Sequence, residues 1–159
     1  MNRSNLEEAK DIANKIRLMS GGLRQTDVVI APPYLYISST KPKEESDNFF
    51  MGAQSASVDS EGAHTGEISA RMLQDMGVRY VIVGHSEQRE RGETDEIVSK
   101  KISAVLNADL VPVVCIGEKT RDQENGAHYD FLRDQIKQTF ASVEKKSAKD
   151  IVIAYEPIW

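Results

Sequence analysis

Residues 80–87 read Tyr80-Val81-Ile82-Val83-Gly84-His85-Ser86-Glu87, and this stretch decides the fold class. Four consecutive apolar residues, three of them β-branched, are the pattern of a strand covered on both faces. Gly84 closes the run and polar residues follow at once. Upstream, Glu67 to Met76 places Ile68, Met72 and Met76 on one face of a predicted helix that stops at Gly77. Downstream, Gly84 to Glu93 reads as a charged loop or short helix. Asp95 to Leu106 is a predicted helix with Ile97, Ile102, Val105 and Leu106 facing inward. Leu110 to Ile116 is the next apolar strand, punctuated by Gly117.

The same rhythm extends to both ends. Ser4 and Glu7 form a Ser-x-x-Glu capping box, and Leu6, Ala9, Ile12, Ala13, Ile16 and Met19 recur at helical spacing until Gly21-Gly22 provides a left-handed stop. Val28 to Ala31 is a short strand ended by Pro32-Pro33, which cannot donate to a ladder. Phe49 to Ala53 is a weaker strand. Gln54 to Gly66 is a long polar loop, of a length usually reserved for function. Asn125-Gly126 marks a turn, Tyr129 to Val143 a helix, and Ile151 to Tyr155 the last strand. Alternating strands and helices specify an α/β fold with a parallel sheet. Two architectures fit: a five-stranded doubly wound domain, or part of an eight-stranded β/α barrel, which needs ~250 residues. Residues 1–159 read as a single domain.

Composition narrows the function classes. The 159 residues carry 20 Lys+Arg against 25 Asp+Glu, a net charge of −5. That balance offers no basic face to nucleic acid, and no apolar run reaches the ~18 residues of a membrane span. The first ten residues, MNRSNLEEAK, have no apolar signal core. A lone cysteine, Cys115, excludes an internal disulfide and a multi-cysteine zinc site. His64 and His128 have no partner at ligand spacing, so no metal is expected. No phosphate loop, dinucleotide fingerprint or nucleophile elbow occurs, and no cofactor is expected. These features point to the cytoplasm.

In a parallel α/β fold, reactive groups gather beyond the carboxyl ends of the strands. There the sequence places two prolines, then Gln54, Gly84-His85-Ser86-Glu87, Gly117-Glu118 and Glu156-Pro157. His85 and Glu156 are the two that can share acid–base work. His85 begins a helical turn, whose positive end disfavours imidazolium, so a neutral ring could donate to a carbonyl; it could equally be a surface histidine. Glu156 directly follows an apolar strand, where partial desolvation favours a base; it could equally cap nearby N–H groups. Cys115, inside Val113-Val114-Cys115-Ile116, reads as a buried structural thiol.

Five motifs, in order along the chain, resemble triosephosphate isomerases. They are Ala31-Pro32-Pro33, Gly62-Ala63-His64-Thr65-Gly66-Glu67-Ile68-Ser69-Ala70, Val83-Gly84-His85-Ser86-Glu87, Pro112-Val113-Val114-Cys115-Ile116-Gly117-Glu118 and Ala154-Tyr155-Glu156-Pro157-Ile158-Trp159. The resemblance implies an incomplete (β/α)8 barrel, about strands two to six of eight. It implies a cofactor-free isomerase that interconverts dihydroxyacetone phosphate and glyceraldehyde 3-phosphate, with Glu156 as proton acceptor and His85 as electrophile. Glu87 would match the carboxylate that orients a substrate-binding lysine, Ser86 the residue that contacts the resting glutamate, and Cys115 the buried family cysteine. Gln54, Thr65, Gly66 and Glu67 would match a loop that enters the partner subunit of a homodimer. Pro157, Ile158 and Trp159 would open the hinge of the phosphate-gripping lid.

The departures are as informative. The family's first-strand lysine would align just before Met1-Asn2, and the phosphate loops would lie beyond Trp159. Gln88 stands where the family usually has an arginine. The expectation is therefore a truncated isomerase with little activity by itself. The alternatives are a non-catalytic assembly fragment pairing through its dimer loop, and an independent phosphate-binding α/β domain; Ala31-Pro32-Pro33-Tyr34 is a poor glycine-rich turn for the latter.

Overall fold

The structure is a computed structural model that describes residues 3–23, 25–42, 48–120 and 126–157. Helix α1 (Leu6–Ser20) leads into β1 (Val28–Ile30), a 3-10 turn at Tyr34–Tyr36 and the short α2 (Ile37–Thr40). There follow β2 (Phe49–Ala53), α3 (Ala70–Asp75), β3 (Tyr80–Val83), α4 (Ser86–Glu90), α5 (Asp95–Asn107), β4 (Val111–Ile116) and α6 (Ala127–Thr139). A 3-10 stretch, Lys145–Asp150, precedes β5 (Val152–Tyr155). The five strands pair in parallel in the order β1-β2-β3-β4-β5. That order separates the two architectures. A doubly wound sheet reverses its strand order at a switch point, whereas a barrel adds each strand beside the last. This sheet has no reversal and is an incomplete (β/α)8 barrel.

Register divides the sheet into two unlike faces. Ile30, Met51, Val81, Val83 and Val114 fall on one face and are buried against the helix layer. Val98, Ile102 and Val105 of α5 and Leu73 of α3 fill the space opposite them. Val29, Phe50, Tyr80, Ile82 and Val113 alternate with them on the other face, which would line the barrel interior, and are half-buried or exposed. Edge strand β5 is open on both: Val152, Ile153 and Tyr155 are all exposed.

Several local expectations are corrected. Asn5, not Ser4, caps α1: its side chain accepts from the N–H groups of Glu7 at 2.8 Å and Glu8 at 3.4 Å. A carboxamide in extended backbone beside the first turn caps as well as serine does. Gly21 is right-handed at φ −61°, and the end of α1 is tied instead by Asn48, whose Nδ2 donates to the Ser20 and Leu23 carbonyls at 3.0 and 2.6 Å. Met19 is exposed; Ala9 and Ala13 carry the buried face. Helix α3 starts at Ala70, later than Glu67, because Ser69 Oγ caps the Met72 N–H at 3.2 Å. The helix packs through Ala70 and Leu73, which are buried, and leaves Met72 and Met76 facing solvent. Helix α5 presents Val98 rather than Ile97 to the core. Helix α6 begins at Ala127 and ends at Thr139, short of Val143, with His128, Gln135 and Thr139 on its buried face. Gly77 does take the left-handed conformation, at φ +77°, after α3. Among the described residues no helix is long and apolar enough to cross a membrane. Met1, Asn2, Asn125, Ile158 and Trp159 lie outside the described residues.

Candidate active site

Parallel pairing brings the carboxyl ends of all five strands to one rim. Gln54 after β2 donates through Nε2 to the Ala31 carbonyl after β1, at 3.0 Å. His85 follows β3, Gly117 follows β4 and Glu156 follows β5. The Glu156 N–H continues the β4–β5 ladder by donating to the Ile116 carbonyl at 2.7 Å. An open cleft of about 650 Å³ lies between α1 and the β1–β3 side of this rim, lined by Ile12, Ile16, Val29, Gln54, Ile82 and His85.

The imidazole is oriented by its own helix. His85 is the N-cap of α4, and its Nδ1 accepts from the Glu87 N–H at 3.3 Å. A ring nitrogen that accepts a main-chain N–H carries no proton, so the ring hydrogen of the neutral form sits on Nε2. That nitrogen lies 3.2 Å from Glu156 Oε1. The structure thus joins the two groups that the sequence singled out, 71 positions apart by number, into one N–H and carboxylate pair. Their side chains are 33% and 41% exposed, so Glu156 is more open to water than its place after an apolar strand implies. A carboxylate beside an N–H donor can take a proton from carbon while the donor holds the adjacent carbonyl oxygen.

The remaining expected residues fall as follows. Cys115 is buried, and burial together with the negative charge of Glu156 pushes its thiol up to about 11. Ser86 shares a cavity of about 10 Å³ with Gly84, Arg89, Cys115, Gly117 and Glu156, while the short polar contact of Glu156 goes to His85. Glu87 points outward, 76% exposed, with Oε2 4.0 Å from His85 Nδ1. Thr65, Gly66 and Glu67 are exposed on a loop closed at its base by the Ser57 N–H donating to the Ile68 carbonyl at 2.8 Å. Pro157 is half-buried beside Glu156. Among the described residues no group of three His, Cys, Asp or Glu is placed to hold a metal ion.

A sequence profile described as triosephosphate isomerase matches residues 1–159. The chain belongs to the triosephosphate isomerase family. The triosephosphate isomerase of Moorella thermoacetica is 40% identical over 154 residues, covering 96% of this chain and 61% of its own. That of Fusobacterium nucleatum is 38% identical over 156 residues, covering 98% and 62%. The crystal structure of triosephosphate isomerase from Bartonella henselae superimposes with a TM-score of 0.83 at 32% identity, over 99% of this chain and 66% of that one. The chain therefore spans about 60% of the length of its curated triosephosphate isomerase relatives.

Around the pair stands a buried polar frame of which sequence reasoning marks Glu118 as a strand-end position but not Glu93 or Lys101. Glu93 Oε2 accepts the Gly84 N–H at 3.2 Å, and its Oε1 pairs with Lys101 Nζ at 2.6 Å. Lys101 also donates to Ser55 Oγ at 3.0 Å, next to Gln54. Glu118, 1% exposed, accepts the Tyr155 hydroxyl at 2.8 and 2.9 Å on its two oxygens. These residues lie in charge-rich stretches that usually read as solvated faces. Position gives a signal only for Glu118, two residues past the end of β4; Glu93 lies ten residues beyond β3 and Lys101 in the middle of α5. A larger cleft, of about 830 Å³, lies between the 58–60 loop and the outer helices, away from the pair.

Proposed function

We propose that His85 and Glu156 perform the proton transfer of a triosephosphate isomerase, interconverting dihydroxyacetone phosphate and D-glyceraldehyde 3-phosphate without cofactor or metal. The 3.2 Å approach of His85 Nε2 to Glu156 Oε1 carries this reading. Glutamate as base with neutral histidine as electrophile is the established pattern of this family. The Glu156 carboxylate takes a proton from the carbon next to the substrate carbonyl. The electrons move into a new carbon–carbon double bond, and the carbonyl oxygen, held by the His85 Nε2–H, becomes the enediolate oxygen. Returning the proton to the neighbouring carbon, with proton exchange between the two oxygens through His85, completes the isomerisation. Ser86, Glu87 and Cys115 support the pair, and Pro157, Ile158 and Trp159 begin the lid.

The exposed loop bearing Thr65, Gly66 and Glu67 suits insertion into a second subunit, with Gln54 at its root, and we assign the parent protein a homodimeric state. The free thiol of Cys115 suits the cytoplasm. Because the pair is open to water, the enediolate is poorly shielded, and the 159 residues alone are expected to turn over weakly. A coupled isomerase assay at several chain concentrations, beside Glu156→Gln, tests the assignment. The expected result is weak turnover that falls at least ~100-fold in the variant. Turnover that survives Glu156→Gln rejects Glu156 as the base. Robust turnover that the variant abolishes upholds the base and rejects the expectation of weakness.

A further inference from the structure

Arg89 stands on the last turn of the five-residue α4 and reaches back under its start. Its Nε donates to the Gly84 carbonyl at 2.7 Å, immediately before His85. Its Nη2 donates to the Cys115 carbonyl on β4 at 3.4 Å, and its Nη1 pairs with Asp95 Oδ1 at 2.5 Å at the start of α5. Asp95 is itself steadied by Thr139 Oγ1 of α6, at 3.0 Å. The Arg89 side chain is only 17% exposed, and its guanidinium lies so close under Gly84 that a Cβ there would stand 3.0 Å from Nη2. Gly84 also has φ +71°, a conformation that side chains rarely adopt. Glu93 holds the N–H of the same residue. Gly84, the residue before His85, is thus held through both of its main-chain polar groups: its N–H by a carboxylate and its carbonyl by a guanidinium.

This grip bears on the ring. Apart from its contact with Glu156, the imidazole is oriented by one long hydrogen bond within its own helix, from the Glu87 N–H to Nδ1 at 3.3 Å. A helix of five residues does not hold its own first turn in water. What keeps the Glu87 N–H under Nδ1 is the closure of α4 onto Gly84 through Arg89. Only a planar fork with several donors can serve two carbonyls and a carboxylate at once; an ammonium is a single point. Resting on the assignment of His85 as electrophile, we infer that Arg89 is a positioning residue that fixes the Nε2–H form of His85 and its aim at Glu156.

Imidazole ¹⁵N–¹H correlation spectra of the 159-residue chain test this, with wild type beside Arg89→Lys. Wild type is expected to show a single Nε2–H form at His85. In Arg89→Lys the two His85 nitrogens should move toward the average of both tautomers, while His64 and His128 keep their signals. A folded Arg89→Lys whose melting temperature falls but whose His85 nitrogens are unchanged reduces Arg89 to a structural role and overturns the inference. Should Arg89→Lys lose its fold, Thr139→Val loosens Asp95 without touching β3 or α4. A partial shift at His85 is then expected, and unchanged nitrogens overturn the inference. The readout needs no turnover. A tautomer shift in a chain without Glu156-dependent activity supports the Arg89 placement while rejecting the assigned reaction.

Discussion

Gly117 meets Glu156 main chain to main chain: a Cβ at position 117 would collide with the Glu156 carbonyl, and would stand 3.1 Å from the Pro157 nitrogen. The φ of Gly117 is not positive, so the requirement is purely steric. Room for β5 to deliver its carboxylate beside His85 comes from the missing side chain on β4's neighbour. Gly117→Ala is expected to cost about 2 kcal/mol, the usual penalty of overpacking, and to part Glu156 from His85. Urea denaturation reads the first effect and the His85 Nε2 resonance the second; unchanged values for both would refute the contact.

The pair of Glu93 and Lys101 is buried, with side chains 6% and 15% exposed. Removing one partner leaves a charge without its counterion in a poorly solvated site, at a cost of about 3–5 kcal/mol. Lys101→Met should therefore lower the unfolding free energy by that amount. Adding Glu93→Met should recover only part of it, because the Gly84 N–H then loses its acceptor. Full recovery in the double variant would show that the Gly84 bond contributes little.

Cys115 predicts a pH dependence. Burial, then the charge of Glu156, raise its folded pKa from the ordinary 9.0 to about 11. Above pH 9 the unfolded chain releases this proton while the folded chain keeps it, so unfolding is favoured. The neutral thiol's contribution is complete below pH 9 and is lost as pH rises toward 11, by up to ~2 kcal/mol. Tyr34 and Tyr80, raised chiefly by burial, act in the same direction at higher pH. Chemical denaturation between pH 8 and 11 should show the fall, and Cys115→Ala should flatten its lower part. An equal slope in both proteins would reject the assignment to Cys115.

Strand β5 offers an apolar edge, with Ile153 54% and Tyr155 49% exposed. Unpaired edges of this kind recruit other strands. The 159-residue chain should sediment with an average mass that rises with concentration. Ile153→Lys should lower that mass while changing stability by less than about 0.5 kcal/mol, as exposed substitutions usually do. Identical sedimentation of the two chains would show that association, if any, uses another surface.

Strand positions are legible in the sequence because both faces of a parallel strand demand apolar residues, so Tyr80–Val83 and Phe49–Ala53 match their predicted bounds. Helix phase is less legible. Met72 and Met76 look like core residues in a list of apolar spacings, yet the helix packs through Ala70 and Leu73 and leaves them exposed. The buried frame of Arg89, Glu93, Asp95 and Lys101 is the hardest to see, since charged residues in a run read as surface until partners from distant strands surround them.

By itself the sequence determines the strand–helix rhythm, the rim positions of His85 and Glu156, and the family motifs that carry them. These are local properties, set by side-chain periodicity and by chemistry at strand ends. Only the tertiary structure decides that the strands add in sequential order, that Nε2 rather than Nδ1 faces Glu156, and that the guanidinium of Arg89 lies under Gly84. Strand order, the approach of Glu156 to Nε2 and the reach of Arg89 to Cys115 depend on segments far apart in number meeting within hydrogen-bonding distance. Residue identity does not encode such meetings position by position; the parallel pairing of β3, β4 and β5 creates them.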